Sequence, residues 1–194
     1  IVVEDGGKTM EKIVSHISPY LNIKFFGLDK VERSITGNYG LSQSTGEYCI
    51  FLDDDDLFFA DHIEVLVESL IKNSKASASY SLAFQVPTKF LDENKQKYIE
   101  ESISTHKVFY QEFDYTVLED HNYFPIQTVL FKRDLFLERD GFDMDLVHLE
   151  DWNLWLRYAY NNYFQYVPKT TSLYRVPSDD RINKERQELL HKAY

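Results

Sequence analysis

Four consecutive carboxylates, Asp53, Asp54, Asp55 and Asp56, stand between Phe51-Leu52 and Leu57-Phe58-Phe59. Adjacent like charges repel, and the apolar residues on both sides draw the segment toward the interior. Uncompensated buried charge is costly, so the run asks for a cation. Oxygen donors alone select a hard divalent ion, Mg²⁺ or Mn²⁺. The plain alternative is a solvated acidic turn ahead of a helix. The position directly after an apolar segment, Tyr48-Cys49-Ile50-Phe51-Leu52, favours the metal. An EF-hand register starting at Asp53 fits Glu64 at its twelfth position but puts Phe58 where Gly is needed, and is rejected. A second acidic pair, Glu150-Asp151, leads into Trp152 and Trp155. A carboxylate there can take a proton from an attacking hydroxyl, typically worth ~10²–10⁴-fold, and burial against the rings raises its pKa toward that task. The same pair also suits a simple helix start. Glu119-Asp120 competes with it but lacks the aromatic, Arg-bearing stretch that follows Asp151.

These groups need elements to aim them. Ile1–Val3 reads as a buried strand, followed by the turn Glu4-Asp5-Gly6-Gly7 and a helix with Met10, Ile13, Val14 and Ile17 on one face. Ile23–Phe26 reads as a second strand, Ile35–Ser44 as a short helix and Glu47–Leu52 as the strand that delivers the acidic run. Asp61 with Glu64 three residues on forms a capping box for a helix whose stripe is Ile63, Leu66, Val67, Leu70 and Ile71. Ser77–Val86 reads as a strand ending near Pro87, and Thr88–Lys107 as a polar excursion. Thr128–Lys132, Phe164–Val167 and Ser172–Val176 read as strands, Trp152–Ala159 and Ile182–Lys192 as helices. The strand–helix alternation of the first half indicates an α/β fold with a parallel sheet, and ligands in such sheets gather at the carboxyl ends of strands.

Length and composition bound the partners. The 194 residues suit one domain, and 43% hydrophobic with 27% charged residues is globular. A net charge of −11 repels nucleic acid and anionic lipid, so an anionic substrate needs a local cation. Arg175 is one candidate; Arg157 reads as structural, and the six histidines show no metal spacing. One cysteine, Cys49, excludes an internal disulfide and points to a reducing compartment. No apolar run approaches the ~18 residues of a spanning helix. The chain opens mid-strand on Ile1-Val2-Val3 without Met, so a preceding segment is expected.

Read in order, the blocks resemble family 2 glycosyltransferases. Ile1-Val2-Val3-Glu4-Asp5-Gly6-Gly7 looks like that family's strand, two acids and glycine turn. Asn38-Tyr39-Gly40-Leu41 followed by Thr45-Gly46-Glu47-Tyr48-Cys49-Ile50-Phe51-Leu52-Asp53-Asp54-Asp55-Asp56 is similar to its signature leading into a D-x-D metal motif. Gly141-Phe142-Asp143, then Leu149-Glu150-Asp151-Trp152 through Arg157, resembles its acceptor segment, and Tyr174-Arg175-Val176 its closing Tyr-Arg. The resemblance implies a GT-A fold, Rossmann-like, with a mostly parallel central sheet flanked by helices. It also implies one domain over 1–194, with a nucleotide-sugar-binding half at 1–87 and an acceptor-binding half at 108–194. It implies a UDP-sugar donor, a divalent Mn²⁺ or Mg²⁺ cofactor, inversion at the sugar carbon and a glycan or lipid-linked acceptor. Carried over by position, Asp5 binds the donor base, Asp53 the ribose or metal, and Asp55 the metal. Asp54 and Arg175 lie with the nucleotide-sugar, and Asp151 is the catalytic base with Glu150 beside it. The chain departs from the pattern at Gly37, where the family commonly has Arg, and at Pro177, where it often has His; Asp179 or Asp180 are candidates to replace the latter. The expected setting is cytoplasmic, with room for peripheral attachment at the inner face of a membrane.

Two other readings stay open on these residues. Asp53 and Asp55, one residue apart after an apolar strand, also fit an aspartyl-phosphate phosphatase of the haloacid-dehalogenase type, although Leu57 stands where that family prefers Thr or Val. A non-catalytic nucleotide-sugar-binding domain is the third.

Overall fold

The structure, a computed structural model, describes residues 1–7, 9–92, 97–103, 109–179 and 188. Asp180 and, apart from residue 188, the helix expected at Ile182–Lys192 lie outside them. In chain order the elements are β1 (Val2–Asp5), α1 (Glu11–Ile17), β2 (Phe25–Leu28), α2 (Arg33–Ser42), β3 (Tyr48–Ile50), β4 (Leu57–Phe58), α3 (His62–Lys72), β5 (Ala78–Phe90), β6 (Tyr98–Glu100), α4 (Tyr115–Asp120), β7 (Val129–Lys132), α5 (Arg133–Arg139), α6 (Glu150–Ala159) and β8 (Phe164–Pro177).

The strands form two sheets. β1 and β2 pair in parallel, and β3-β7-β5-β8-β4 form the larger sheet, with β6 hydrogen-bonded to β5. The expected mostly parallel sheet is therefore corrected. Within the larger sheet only β5–β8 is parallel, while β3–β7, β5–β7, β4–β8 and β5–β6 are antiparallel. Parallel neighbours need a crossover of a dozen or more residues. The stretch between β5 and β8 provides one through α4, α5 and α6, whereas β6 is the returning arm of a hairpin on β5. The excursion expected from Thr88 onward is thus partly strand.

β8 runs unbroken where two short strands were expected. Its register against β5 slips between Ser81 and Ala83, with Val167 opposite Ser81 and Thr170 opposite Leu82. Pro168 lies in that slip, where its missing N–H forfeits no ladder bond. The bulge turns Thr171 inward, fully buried, where its hydroxyl meets His62 Nδ1 at 2.6 Å and the Ser81 hydroxyl at 2.8 Å. His62 Nε2 lies 3.1 Å from the Gln127 carbonyl oxygen, and burial lowers the imidazole pKa, so the ring is a neutral structural tie.

Alternation along the strands separates two cores. Val129 and Phe131 of β7, with Ala78 and Tyr80 of β5, face α6 and a cluster of rings that includes Tyr123, Phe124, Trp155, Tyr158 and Phe164. Leu130, on the opposite face, packs with Leu66, Leu70 and Ala76 under α3. The buried stripe of α3 keeps Leu66 and Leu70 of the expected one and adds His62, while Ile63 and Ile71 are exposed. Asp61 caps nothing with its side chain and pairs instead with Lys169. On α1 only Val14 is buried. Among the described residues no helix is long and apolar enough to cross a membrane.

Candidate active site

The acidic run sits at the carboxyl end of β3. The Asp56 N–H donates to the Asp53 carbonyl, closing a turn of 3.2 Å, and β4 then pairs with β8 at Leu57–Leu173. That pairing brings the Arg175 N–H to Asp56 Oδ1 at 3.1 Å. One carboxylate oxygen each from Asp53, Asp55 and Asp56 lie within 4.8 Å of one another. Asp54 is exposed and outside this group. Asp56, expected as part of the run but given no role of its own there, is the buried member; the acids at 53, 55 and 56 turn to one side because the chain reverses between β3 and β4. Burial lifts the Asp56 carboxyl to about 7, against the opposing Arg175 N–H and with Asp55 and Asp53 adding to the rise. Burial also raises Asp53, opposed by Arg33. Two carboxyls forced toward neutrality beside a third are what a bound cation would relieve, and the donors are all hard oxygens.

The second acidic pair opens α6. Glu150 is buried and Asp151 half-buried. The Trp152 N–H donates to Asp151 Oδ1 at 2.7 Å, and Asn122 Nδ2 donates to Oδ2 at 3.3 Å. Asn122 is itself fixed, because its Oδ1 accepts the Phe124 N–H at 3.0 Å. The Trp152 indole N–H donates to the Leu118 carbonyl at 2.6 Å, anchoring α6 to α4. Burial first, and the neighbouring Glu150 second, push the Asp151 carboxyl up to about 6. A carboxylate so poised accepts a proton near neutral pH. Glu119 and Asp120 are exposed, and Asp120 pairs with His121.

Arg33, at the start of α2, joins the two acidic groups. Its Nη2 lies 2.5 Å from Asp53 Oδ2 and its Nε 3.5 Å from Glu150 Oε1. The sequence reading missed it; it stands one helical turn before Gly37. No side chain fits at Gly37, where a Cβ would lie 2.6 Å from Phe142 Cε2. α2 is held by a two-way bracket in which Asn38 Nδ2 donates to the Phe142 carbonyl at 2.8 Å and its Oδ1 accepts the Phe142 N–H at 2.6 Å. Gly141 is obligatory beside it, since a Cβ there would lie 2.0 Å from Asn38 Oδ1.

Asp5 ends β1, and its Oδ1 accepts the Val31 N–H at 2.7 Å. Next to it a cavity of about 280 Å³ is lined by Gly6, Gly7, Gly27, Leu28, Asp29 and Lys30. Gly6 turns the chain there at φ +87°. Arg175 is engaged: its Nε and Nη2 donate to Glu100 Oε1 at 2.9 and 2.6 Å, its Nη1 donates to the Asp55 carbonyl, and its guanidinium lies 5.5 Å from the Tyr98 ring centre. Asp179 is exposed. Arg157 donates to Asn153 Oδ1 and to the carbonyls of Arg139 and Gly141, the structural role expected of it.

Comparison with known proteins agrees with this fold. The sequence profile of glycosyl transferase family 2 matches residues 1–138. An uncharacterized glycosyltransferase of Bacillus subtilis (strain 168), YwdF, is 24% identical over 175 residues, covering 90% of this chain and 62% of that protein. Staphylococcus aureus TarS 1–349, crystallised in complex with UDP, superposes with a TM-score of 0.68 at 19% identity, over 90% of this chain and 50% of TarS. The mannosyltransferase PcManGT of Pyrobaculum calidifontis, solved with GDP-Man and Mn²⁺, gives 0.63 at 17% identity, over 96% and 50%. The fold is that of GT-A transferases, and the chain spans about half to two thirds of the length of these proteins. The phosphatase reading of Asp53 and Asp55 is set aside by the family match.

Proposed function

The chain belongs to glycosyl transferase family 2, and from that premise we propose that it is a metal-dependent, inverting transferase. It moves a sugar from a UDP-sugar to a hydroxyl of a glycan or lipid-linked acceptor. The observation that carries this reading is the reach of Arg33, which touches Asp53 and Glu150 at once and so brings both acidic groups within reach of one side chain. Residues 1–87 form the donor side and 108–194 the acceptor side.

Asp5 and the adjoining glycine-lined cavity take the nucleotide base, and Asp54 stands at the rim beside the donor. Asp53, Asp55 and Asp56 fit a divalent ion, Mn²⁺ or Mg²⁺, by donor type and spacing. Bound there, such an ion supplies positive charge against the charge that grows on a departing diphosphate, worth on the order of several kcal/mol. Asp151 accepts the acceptor's proton as its oxygen attacks the sugar carbon from the face opposite the diphosphate. The Trp152 N–H and Asn122 hold that carboxylate in one orientation. One base and no carboxylate nucleophile gives inversion. PcManGT with GDP-Man and Mn²⁺, and TarS with UDP, support the donor class and the metal. A cytoplasmic setting fits the lone cysteine.

Calorimetric titration with UDP, with and without Mn²⁺, tests the reading alongside release of UDP from UDP-sugars. UDP is expected to bind only with Mn²⁺, and Asp55→Ala to abolish that binding. Equal binding without metal overturns the metal role. Binding without turnover across a panel of UDP- and GDP-sugars and acceptors would leave a nucleotide-sugar-binding domain instead.

A further inference from the structure

Resting on that reading, we propose that Arg33 is a switching counter-ion: it neutralises Asp53 until a divalent cation arrives, then binds the diphosphate of the donor. Two guanidiniums touch the acidic loop among the described residues, Arg33 and Arg175. Arg175 is committed. Its side chain is 15% exposed, pinned by Glu100 on β6 and by the Asp55 carbonyl. Arg33 is 57% exposed and stands in the gap between the two acidic groups.

The charges dictate the exchange. Asp53 cannot serve a guanidinium at 2.5 Å and a dication equally well, because the two cations repel at that range. Once Asp53 turns to the metal, Arg33 loses its shorter ion pair and keeps only the longer one to Glu150. A diphosphate entering a protein of net charge −11 needs cationic partners, and a planar guanidinium fork suits phosphate oxygens. The backbone need not move, since α2 is fixed by the Asn38–Phe142 bracket one turn further on. Only a long, exposed side chain turns.

The test is calorimetry on Arg33→Gln, with Mn²⁺ alone and then with UDP or UMP at saturating Mn²⁺. Binding of Mn²⁺ alone is expected to tighten by about 2- to 5-fold, the scale of an exposed ion pair. UDP is expected to weaken by about 10- to 100-fold, the scale of a charged hydrogen bond. UMP, lacking the second phosphate, should lose less than UDP. Arg33→Lys should lie between wild type and Arg33→Gln in both directions. A structural role would move both ligands the same way or leave both unchanged, and either result overturns the proposal while metal-dependent UDP binding by the wild type preserves the functional reading. Absence of that wild-type binding overturns both. An unchanged melting temperature confirms that the variant is folded.

Discussion

Replacing Asp151 by Asn should stabilise the protein while stopping the reaction. Burial and Glu150 move this carboxyl from 3.8 to about 6, which costs the ionised form at most about 3 kcal/mol at neutral pH. The amide of Asn carries no charge and has the same shape. It loses one acceptor, because the Trp152 N–H and Asn122 Nδ2 both donate to the carboxylate and the amide can accept only on its oxygen. That mismatch offsets about 1 kcal/mol. The half-buried site retains some water, which lowers the ceiling further, so the net gain is about 1–2 kcal/mol. For a chain of this size that raises the melting temperature by about 2–8 °C. The gain has a definite pH dependence. The folded-state pKa is raised, so wild type suffers no penalty below about pH 4, where the acid is neutral folded or unfolded. The penalty grows as pH rises toward 6 and is constant above it. Thermal melts of both proteins between pH 4 and 8, with transfer assays on the same samples, decide the matter. Transfer by wild type should fall as pH drops below about 6, and Asp151→Asn should lose about 10²–10⁴-fold at pH 8, a loss that shrinks toward pH 4 as the wild-type base protonates. A variant no more stable at pH 8 than wild type refutes the desolvated carboxylate, and one that retains transfer refutes the base.

Two further outcomes follow from the same physics. Because Asp56 holds its proton up to about 7, Mn²⁺ binding near pH 6.5 should release a proton; calorimetry in buffers of different ionisation enthalpy measures it, and Asp56→Asn should lower the release. Asn38→Ala removes both hydrogen bonds of the bracket to Phe142 and leaves two backbone groups unpaired, a loss of about 2–4 kcal/mol visible in chemical denaturation.

The sequence exposed the site more clearly than the sheet around it. The strand into the acidic run, the helix after Glu150 and the turn at Asp5 were all legible, since each couples an apolar stretch to a polar stop. Strand direction was not, because hydrophobic alternation carries no sign: β7 and β8 look alike as strings, yet lie antiparallel and parallel to β5. The two strands expected at Phe164–Val167 and Ser172–Val176 are one, because the ladder absorbs the residues between them as a bulge. On α3 the apolar residues outnumber the positions the sheet can cover, so Ile63 and Ile71 are left outside while the polar His62 goes in, held by Thr171 and the Gln127 carbonyl. Asp56, Arg33 and Asn122 owe their places to contacts with partners 119, 20 and 29 residues away, which local pattern does not encode.

The interleaving of β5 between β7 and β8 has a mechanical corollary. Strands β3 to β8 are stitched into one fabric, while β1 and β2, which carry the Asp5 turn, form a sheet of their own beside it. Any opening of the proposed donor site therefore falls between the β1–β2 pair and the larger sheet, across no strand ladder, rather than within the weave. Changes confined to exposed positions of the 143–147 turn leave that weave undisturbed.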